Sequence, residues 1–162
     1  MLTLRNLRPY EIAVIKSWPH YPPEFSDLDY ALRDDGWLDH YPAGIATVIL
    51  AAEDQTGLIG FSILSREEGK CPEFRIALHP EKTGKGLGKE LTLLTLAHGF
   101  SVLGFTCIRL IVRKNNYRAQ KLYNELLFRY AGECIEAVKG KPVEFFRMEI
   151  SSEEFLKRPD HE

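Results

Sequence analysis

A chain of 162 residues with 44% hydrophobic and 27% charged residues can bury a core of its own, and is too apolar for a disordered or fibrous chain. Its formal net charge of −2 excludes global attraction to nucleic acid or to an anionic membrane, so any anion site must be a local basic patch. The longest apolar run, IATVILAA, is far too short to cross a bilayer, and the opening MLTLRNLRPYE has no apolar stretch to serve as a signal peptide.

One domain over residues 1–150 is expected, followed by a polar, loose tail over 151–162. Cys71, Cys107 and Cys134 form an odd, sparse set rather than a disulfide framework, which fits free thiols in a reducing cytoplasm.

In chain order, LTLRNL reads as a short first strand. Pro9 then opens a helix through about Trp18. SDLDYALRDDG reads as a second helix, with Ser26 as its cap and Gly36 as its stop. ATVILAAE, LIGFSILS and EFRIALH read as three strands of an antiparallel meander, joined by DQTG and REEGKCP. A glycine-rich stretch follows and opens a third helix. Leu87, Leu91, Leu94 and His98 mark its apolar face, widened by Leu93, Leu96 and Phe100. CIRLIVR is a strand, and NYRAQKLYNELLF is a helix capped by Asn115 or Asn116. AGECIEAV and VEFFRMEI close the fold around the turn KGKP. The class is mixed α/β.

The stretch HPEKTGKGLGKELTLL holds glycines at alternate positions, Gly84, Gly86 and Gly88, with Lys82, Lys85 and Lys89 among them. A nucleotide P-loop needs four residues before its Gly-Lys and then Ser or Thr. Here three residues separate Gly84 from Gly88, and Glu90 follows Lys89. A dinucleotide fingerprint needs a glycine where Lys89 stands. Both nucleotide motifs fail on spacing. What remains is a glycine turn leading into a helix whose first amides are unpaired and whose dipole is positive at that end. Such a turn suits an anionic group such as a diphosphate. The alternative is a flexible surface loop with solvated lysines.

LHPEKTGKGLGKEL after a strand resembles the coenzyme A diphosphate loop of the Gcn5-related N-acetyltransferases, with Gly86 and Gly88 at the family's two small positions. NNYRAQKLYNELLF is similar to the family's later helix at Asn116, Arg118, Ala119, Leu122, Tyr123 and Phe128. Thr83 stands where the family has Arg or Gln, and Leu127 where it has glycine. The order of strands and helices also matches, over roughly residues 2–150. The resemblance implies a twisted, mostly antiparallel sheet of about seven strands flanked by about four helices. It implies acetyl-CoA as co-substrate, with no metal.

The site implied by the resemblance follows residue by residue. The pantetheine arm lies beside the fourth strand, held by Ile76, Ala77 and Leu78, whose amides at Ile76 and Leu78 polarise the thioester carbonyl. Thr83, Gly84, Lys85, Gly86, Leu87, Gly88 and Lys89 take the diphosphate, and Asn116 and Arg118 contact the coenzyme from the later helix. Asn116 is equally suited to be a helix cap. Tyr123 is the expected general acid and Glu73 the expected base, acting through water. A base matters for a lysine-type amine, which is neutral in only about one molecule in 2,500 at pH 7.

The expected acceptor is an amine-bearing small molecule or peptide, drawn to the segment between the first two strands. That segment carries Glu24, Asp27, Asp29, Asp34, Asp35 and Asp39 against Arg33, interleaved with Trp18, Tyr21, Phe25, Tyr30, Trp37 and Tyr41. Solvated acids over core aromatics are the alternative. His20, His40, His79, His98 and His161 have no ligand spacing, so no metal site is expected. Neither nucleic acid nor membrane is an expected partner, and the assembly is a monomer or homodimer. The expected function is acetyl transfer from acetyl-CoA to a primary amine of a cationic molecule in a ternary complex. A catalytically silent acyl-CoA-binding module is the alternative.

Overall fold

The computed structural model describes residues 1–158. Seven strands form one sheet: β1 (Thr3–Asn6), β2 (Thr47–Asp54), β3 (Gly57–Ser65), β4 (Glu73–Leu78), β5 (Cys107–Arg113), β6 (Arg129–Val138) and β7 (Lys141–Ser151). Their spatial order is β1-β2-β3-β4-β5-β7-β6. All neighbours are antiparallel except β4 and β5, whose parallel pairing is confined to Glu73 opposite Arg109. The helices are α1 (Glu11–Lys16), α2 (Trp37–His40), α3 (Leu87–Ala97), α4 (Tyr117–Glu125) and α5 (Ser152–Leu156). A 3₁₀ stretch, Pro23–Leu32, precedes α2, and a π turn, His98–Val102, extends α3.

The sheet divides two apolar layers. On one side α3, α4 and α5 pack Leu96, Tyr123, Leu126 and Phe155 against Phe74, Ile108, Leu110, Met148 and Ile150. On the other, Ile15 of α1, Trp18, Tyr21, Leu32 and Leu38 cover Ile49, Phe61, Ile63 and Ala77. Ala77 of β4 thus joins the second layer, while Phe74 joins the first, as strand alternation requires.

Three expectations are corrected. The second helix is 3₁₀ rather than α, begins at Pro23 and kinks at Phe25. Ser26 caps nothing there, and Gly36 starts α2 instead of stopping a helix. Proline at the first helical position displaced the start, and short acidic residues offer backbone-competing hydrogen bonds that weaken a regular α-helix. The tail is not loose through its described part. Ser151 and Glu154 form a capping box for α5, and Phe155 and Arg158 are buried. Residues 159–162 of that expected tail lie outside the described residues.

The third correction concerns the thiols. Cys71 and Cys107 form a disulfide, and Cys134 is the free cysteine among the described residues. The bond ties the loop before β4 to the first residue of β5. Cysteines 36 positions apart come within a Cα separation of 5.4 Å only because β4 and β5 are neighbours. No count of cysteines could reveal that.

Candidate active site

The parallel ladder stops after Glu73 and Arg109, and β4 and β5 go on to line opposite walls of a cavity of about 640 Å³. Phe74–Leu78 face Ile111–Arg113 across it. The His79 amide donates to Ile59 O at 2.8 Å, so by antiparallel alternation Ala77 and Arg75 also turn to β3. The amides of Ile76 and Leu78 therefore face the gap. Leu78 O, on the same side, accepts a 2.6 Å hydrogen bond from the Tyr21 hydroxyl.

One end of the cavity is the glycine turn. Gly84 and Gly86 have φ of +77° and +80°, the left-handed region that a side chain disfavours. Gly86 is the N-cap of α3 and offers no side-chain cap. The first helical bond runs from Glu90 N to Gly86 O, so the amides of Leu87, Gly88 and Lys89 have no intrahelical partner. The cavity is lined here by Thr83, Gly84, Gly86, Gly88 and Lys89, and from α4 by Asn116, Arg118 and Ala119. Lys85 and Leu87 do not line it; Leu87 packs against the cluster around Leu78 and Leu91. Lys82 leans to Asp54 at 3.8 Å. The Thr83 hydroxyl donates to Pro80 O, which leaves its lone pairs and its amide for other partners. Asn116 caps α4 by accepting from the Ala119 amide at 3.2 Å, with its own side-chain N–H groups uncommitted to that bond. The Arg118 guanidinium lies 4.9 Å over the Phe25 ring.

Tyr123 lines the middle of the cavity from α4. Its ring sits edge-on to Phe74 and against Phe128, and its hydroxyl makes no hydrogen bond among the described residues. Burial pushes the phenol well above its ordinary pKa. Tyr123 therefore stays protonated at neutral pH and can donate.

Glu73 is not on the cavity wall. Its carboxylate lies 2.5 Å from Arg75 Nη1, without hydrogen-bond alignment, and 3.4 Å from Arg109 Nη1.

The opposite end is built from the 3₁₀ stretch, α2 and the β6–β7 hairpin: Tyr30, Asp35, Trp37, His40, Tyr41, Arg75, Glu136 and Lys139. Buried Arg75 reaches it from β4. Its Nη2 donates to Tyr41 Oη at 2.7 Å, and its guanidinium lies 3.9 Å from the Tyr41 ring centroid and 6.0 Å from that of Trp37. Burial raises the Tyr41 phenol, Arg75 opposes this, and Glu73 and Glu136 add to it.

The acidic segment is mostly committed elsewhere. Asp29 binds Arg33, His20 and the Tyr21 amide. Asp34 and Asp39 pair with Lys16, and Asp27 accepts from Asn115. Asp35 lines the cavity but pairs with His40 at 2.8 Å. His79 is a turn residue, accepting from the Glu81 amide. The sequence did not point to Arg75 or Glu136. An arginine in the middle of an otherwise apolar strand was the available signal for the first. The second lies on an exposed hairpin whose side-chain direction depends on register.

Known proteins share this fold. The acetyltransferase (GNAT) family model matches residues 11–128. The spermidine N(1)-acetyltransferase of Escherichia coli (strain K12) is 35% identical over 86 residues, 52% of this chain and 46% of that protein. The Vibrio cholerae serotype O1 protein of the same name is 32% identical over 93 residues, 56% of this chain and 54% of the relative. The matched stretch thus spans about half the length of these curated relatives. Among solved structures, mutant forms of the spermidine/spermine N-acetyltransferase of Vibrio cholerae superpose with a TM-score of 0.77 at 26% identity, covering 99% of this chain and 100% of theirs. The spermidine N-acetyltransferase of Vibrio cholerae in complex with CoA and spermine gives 0.72 at 25% identity, covering 96% and 98%.

Proposed function

The chain belongs to the GNAT family of acetyltransferases, and on that premise we propose that it transfers the acetyl group of acetyl-CoA to a primary amine of a polyamine-like molecule, both substrates being bound together. The observation that carries this is the gap between β4 and β5. It presents free strand amides at Ile76 and Leu78, next to a glycine turn with free helix amides, in one cavity. The names of the relatives, and a neighbour that holds CoA and spermine, support the donor and the class of acceptor.

In the proposed complex the coenzyme's diphosphate meets the amides from Gly84 to Lys89, with Thr83 and Lys89 at its flanks and Asn116 and Arg118 on the α4 side. The pantetheine arm adds as a strand to the open edge of β4, along Ile76, Ala77 and Leu78. The Ile76 amide donates to the thioester carbonyl as negative charge grows there, a preorganised donor that needs no rearrangement. The amine attacks, the tetrahedral intermediate collapses, and the thiolate leaves. Tyr123 donates a hydrogen bond to the departing sulfur. An ordinary phenol, pKa about 10, is already weaker than a thiol at about 8.5. Burial raises the Tyr123 phenol further, so Tyr123 assists as a hydrogen-bond donor to the departing sulfur. Glu73 is held between two guanidiniums, so its part in the proposal is electrostatic, with proton removal from the ammonium left to water in the open acceptor end.

Initial rates of thiol release from acetyl-CoA across spermidine, spermine, aminoglycosides, amino acids and peptides with free N-termini test the proposal. Fastest release with polyamines, and intersecting double-reciprocal plots, are expected. Release that is independent of any amine would refute it.

A further inference from the structure

The acceptor end of the cavity is not uniformly acidic, and this limits where an ammonium can rest. Its floor carries a buried cation, Arg75, held under Tyr41. Of the two carboxylates on the wall, Asp35 is paired with His40, while Glu136 has no ion-pair partner among the described residues. Glu136, Cys134 and Val138 share a face of β6, opposite Val143, Phe145 and Lys141 of β7. Val138 and Phe145 line the same cavity, so this hairpin face is turned inward. Lys139 is the cation of the same hairpin on that wall. Tyr30, Trp37 and Tyr41 stand on the other elements of the acceptor end, and aromatic faces of this kind favour a cation or its methylene chain.

Resting on the amine-transfer proposal, we infer that Glu136 is the specificity-determining residue that receives the second, non-reacting ammonium of the acceptor. Arg75, already paired with Glu73, offers no seat for a second cation on the floor, and the free carboxylate on the hairpin attracts it to the wall. The acceptor class is therefore an aliphatic amine carrying another cationic nitrogen across a methylene spacer. A simple monoamine has nothing to place there. The acidic segment of residues 24–39 makes no comparable offer: Asp29, Asp34, Asp35 and Asp39 are paired with Arg33, His20, Lys16 and His40, and Glu24 and Asp27 do not line this cavity.

The test is equilibrium binding of spermidine and of n-butylamine, with coenzyme A present, to the wild type and to Glu136→Gln and Glu136→Lys. Glu136 is exposed, so the variants keep the fold and the effect is moderate. Spermidine affinity should fall about 2- to 5-fold in Glu136→Gln, the range for an exposed ion pair, and about 10-fold in Glu136→Lys. Butylamine affinity should hold in Glu136→Gln, and added salt should erase the spermidine difference. Equal spermidine affinity in wild type and Glu136→Gln, or an equal loss for both amines, would overturn the assignment. Spermidine bound through Glu136 without any acetyl transfer would leave the assignment standing and remove the enzymatic proposal instead.

Discussion

Tyr123, buried, and Asp29, half-buried, show how differently two polar groups can behave. Tyr123 keeps a hydroxyl without a protein partner, facing the cavity. Replacing it by phenylalanine preserves the edge-on contacts with Phe74 and Phe128 and removes only the donor. Turnover should fall about 10²-fold, the low end for positioned acid catalysis, because a thiolate leaves readily. Coenzyme A affinity should hold, as titration calorimetry would establish. Unchanged turnover would reduce Tyr123 to packing. Asp29 is fully partnered. Hydrogen bonds from Arg33 above all hold its carboxyl well below the usual range; burial opposes them, and His20 and the Tyr21 amide add to them. Its folded pKa is depressed, so the stabilisation it provides is complete above the unfolded value near pH 4 and fades as pH falls through the folded value. Asp29→Asn should lower the urea midpoint at pH 7 and flatten the loss of stability below pH 4. An acid limb as steep as the wild type's would show that other carboxylates carry it. The sequence offered Asp29 as a ligand for cations. Its neighbour at i+4, Arg33, already claims it, a pairing that the helical spacing made legible.

At the level of elements, the glycine turn and the β4–β5 gap matter most. Gly86 adopts a left-handed conformation, so a side chain there strains the backbone as well as the site. Gly88 is the cleaner probe: a Cβ would meet only Leu78 Cδ1, at an ordinary 3.8 Å. Gly88→Val should fold and should lower coenzyme A affinity by about 10-fold or more, since its branches intrude on the free helix amides. Calorimetry that finds wild-type affinity would move the diphosphate elsewhere. The disulfide pins the closed end of the same gap. Cys71→Ser should cost about 2–4 kcal/mol of stability, chiefly by freeing the unfolded chain, and reductant should bring the wild type down to match. Identical urea midpoints with and without reductant would mean that the bond contributes nothing. Strand alternation and the glycine spacing made the meander and the turn readable in advance, as the positions of β2, β3, β4 and α3 attest. The start of α5 was also written in the chain, as Ser151 followed by Glu154 three residues on. The Cys71–Cys107 bond was not, because nothing local brings its ends together. Nor was the role of Arg75, which depends on Tyr41 arriving from a distant element.

Across the whole molecule, one sheet separates the two layers, and the failure of a single strand pair opens a passage along its middle. Donor and acceptor can then approach the same strand, β4, from the glycine turn and from the aromatic end. The sequence disclosed the element order and the glycine turn, because glycine, capping and alternation are local signals. It overcounted the free charge of residues 24–39, because ion pairing between α1, the 3₁₀ stretch and α2 cancels charges that look free in one dimension. Direct transfer between two bound substrates is the central claim, and product analysis by mass spectrometry tests it most directly. The protein is incubated with acetyl-CoA and spermidine, and free thiol, acetylated amine and the protein's own mass are followed together. Thiol and N-acetylspermidine should appear in equal amounts while the protein mass stays unchanged. An acetylated protein that later passes the group to spermidine, or thiol formed with no acetylated amine, would contradict it.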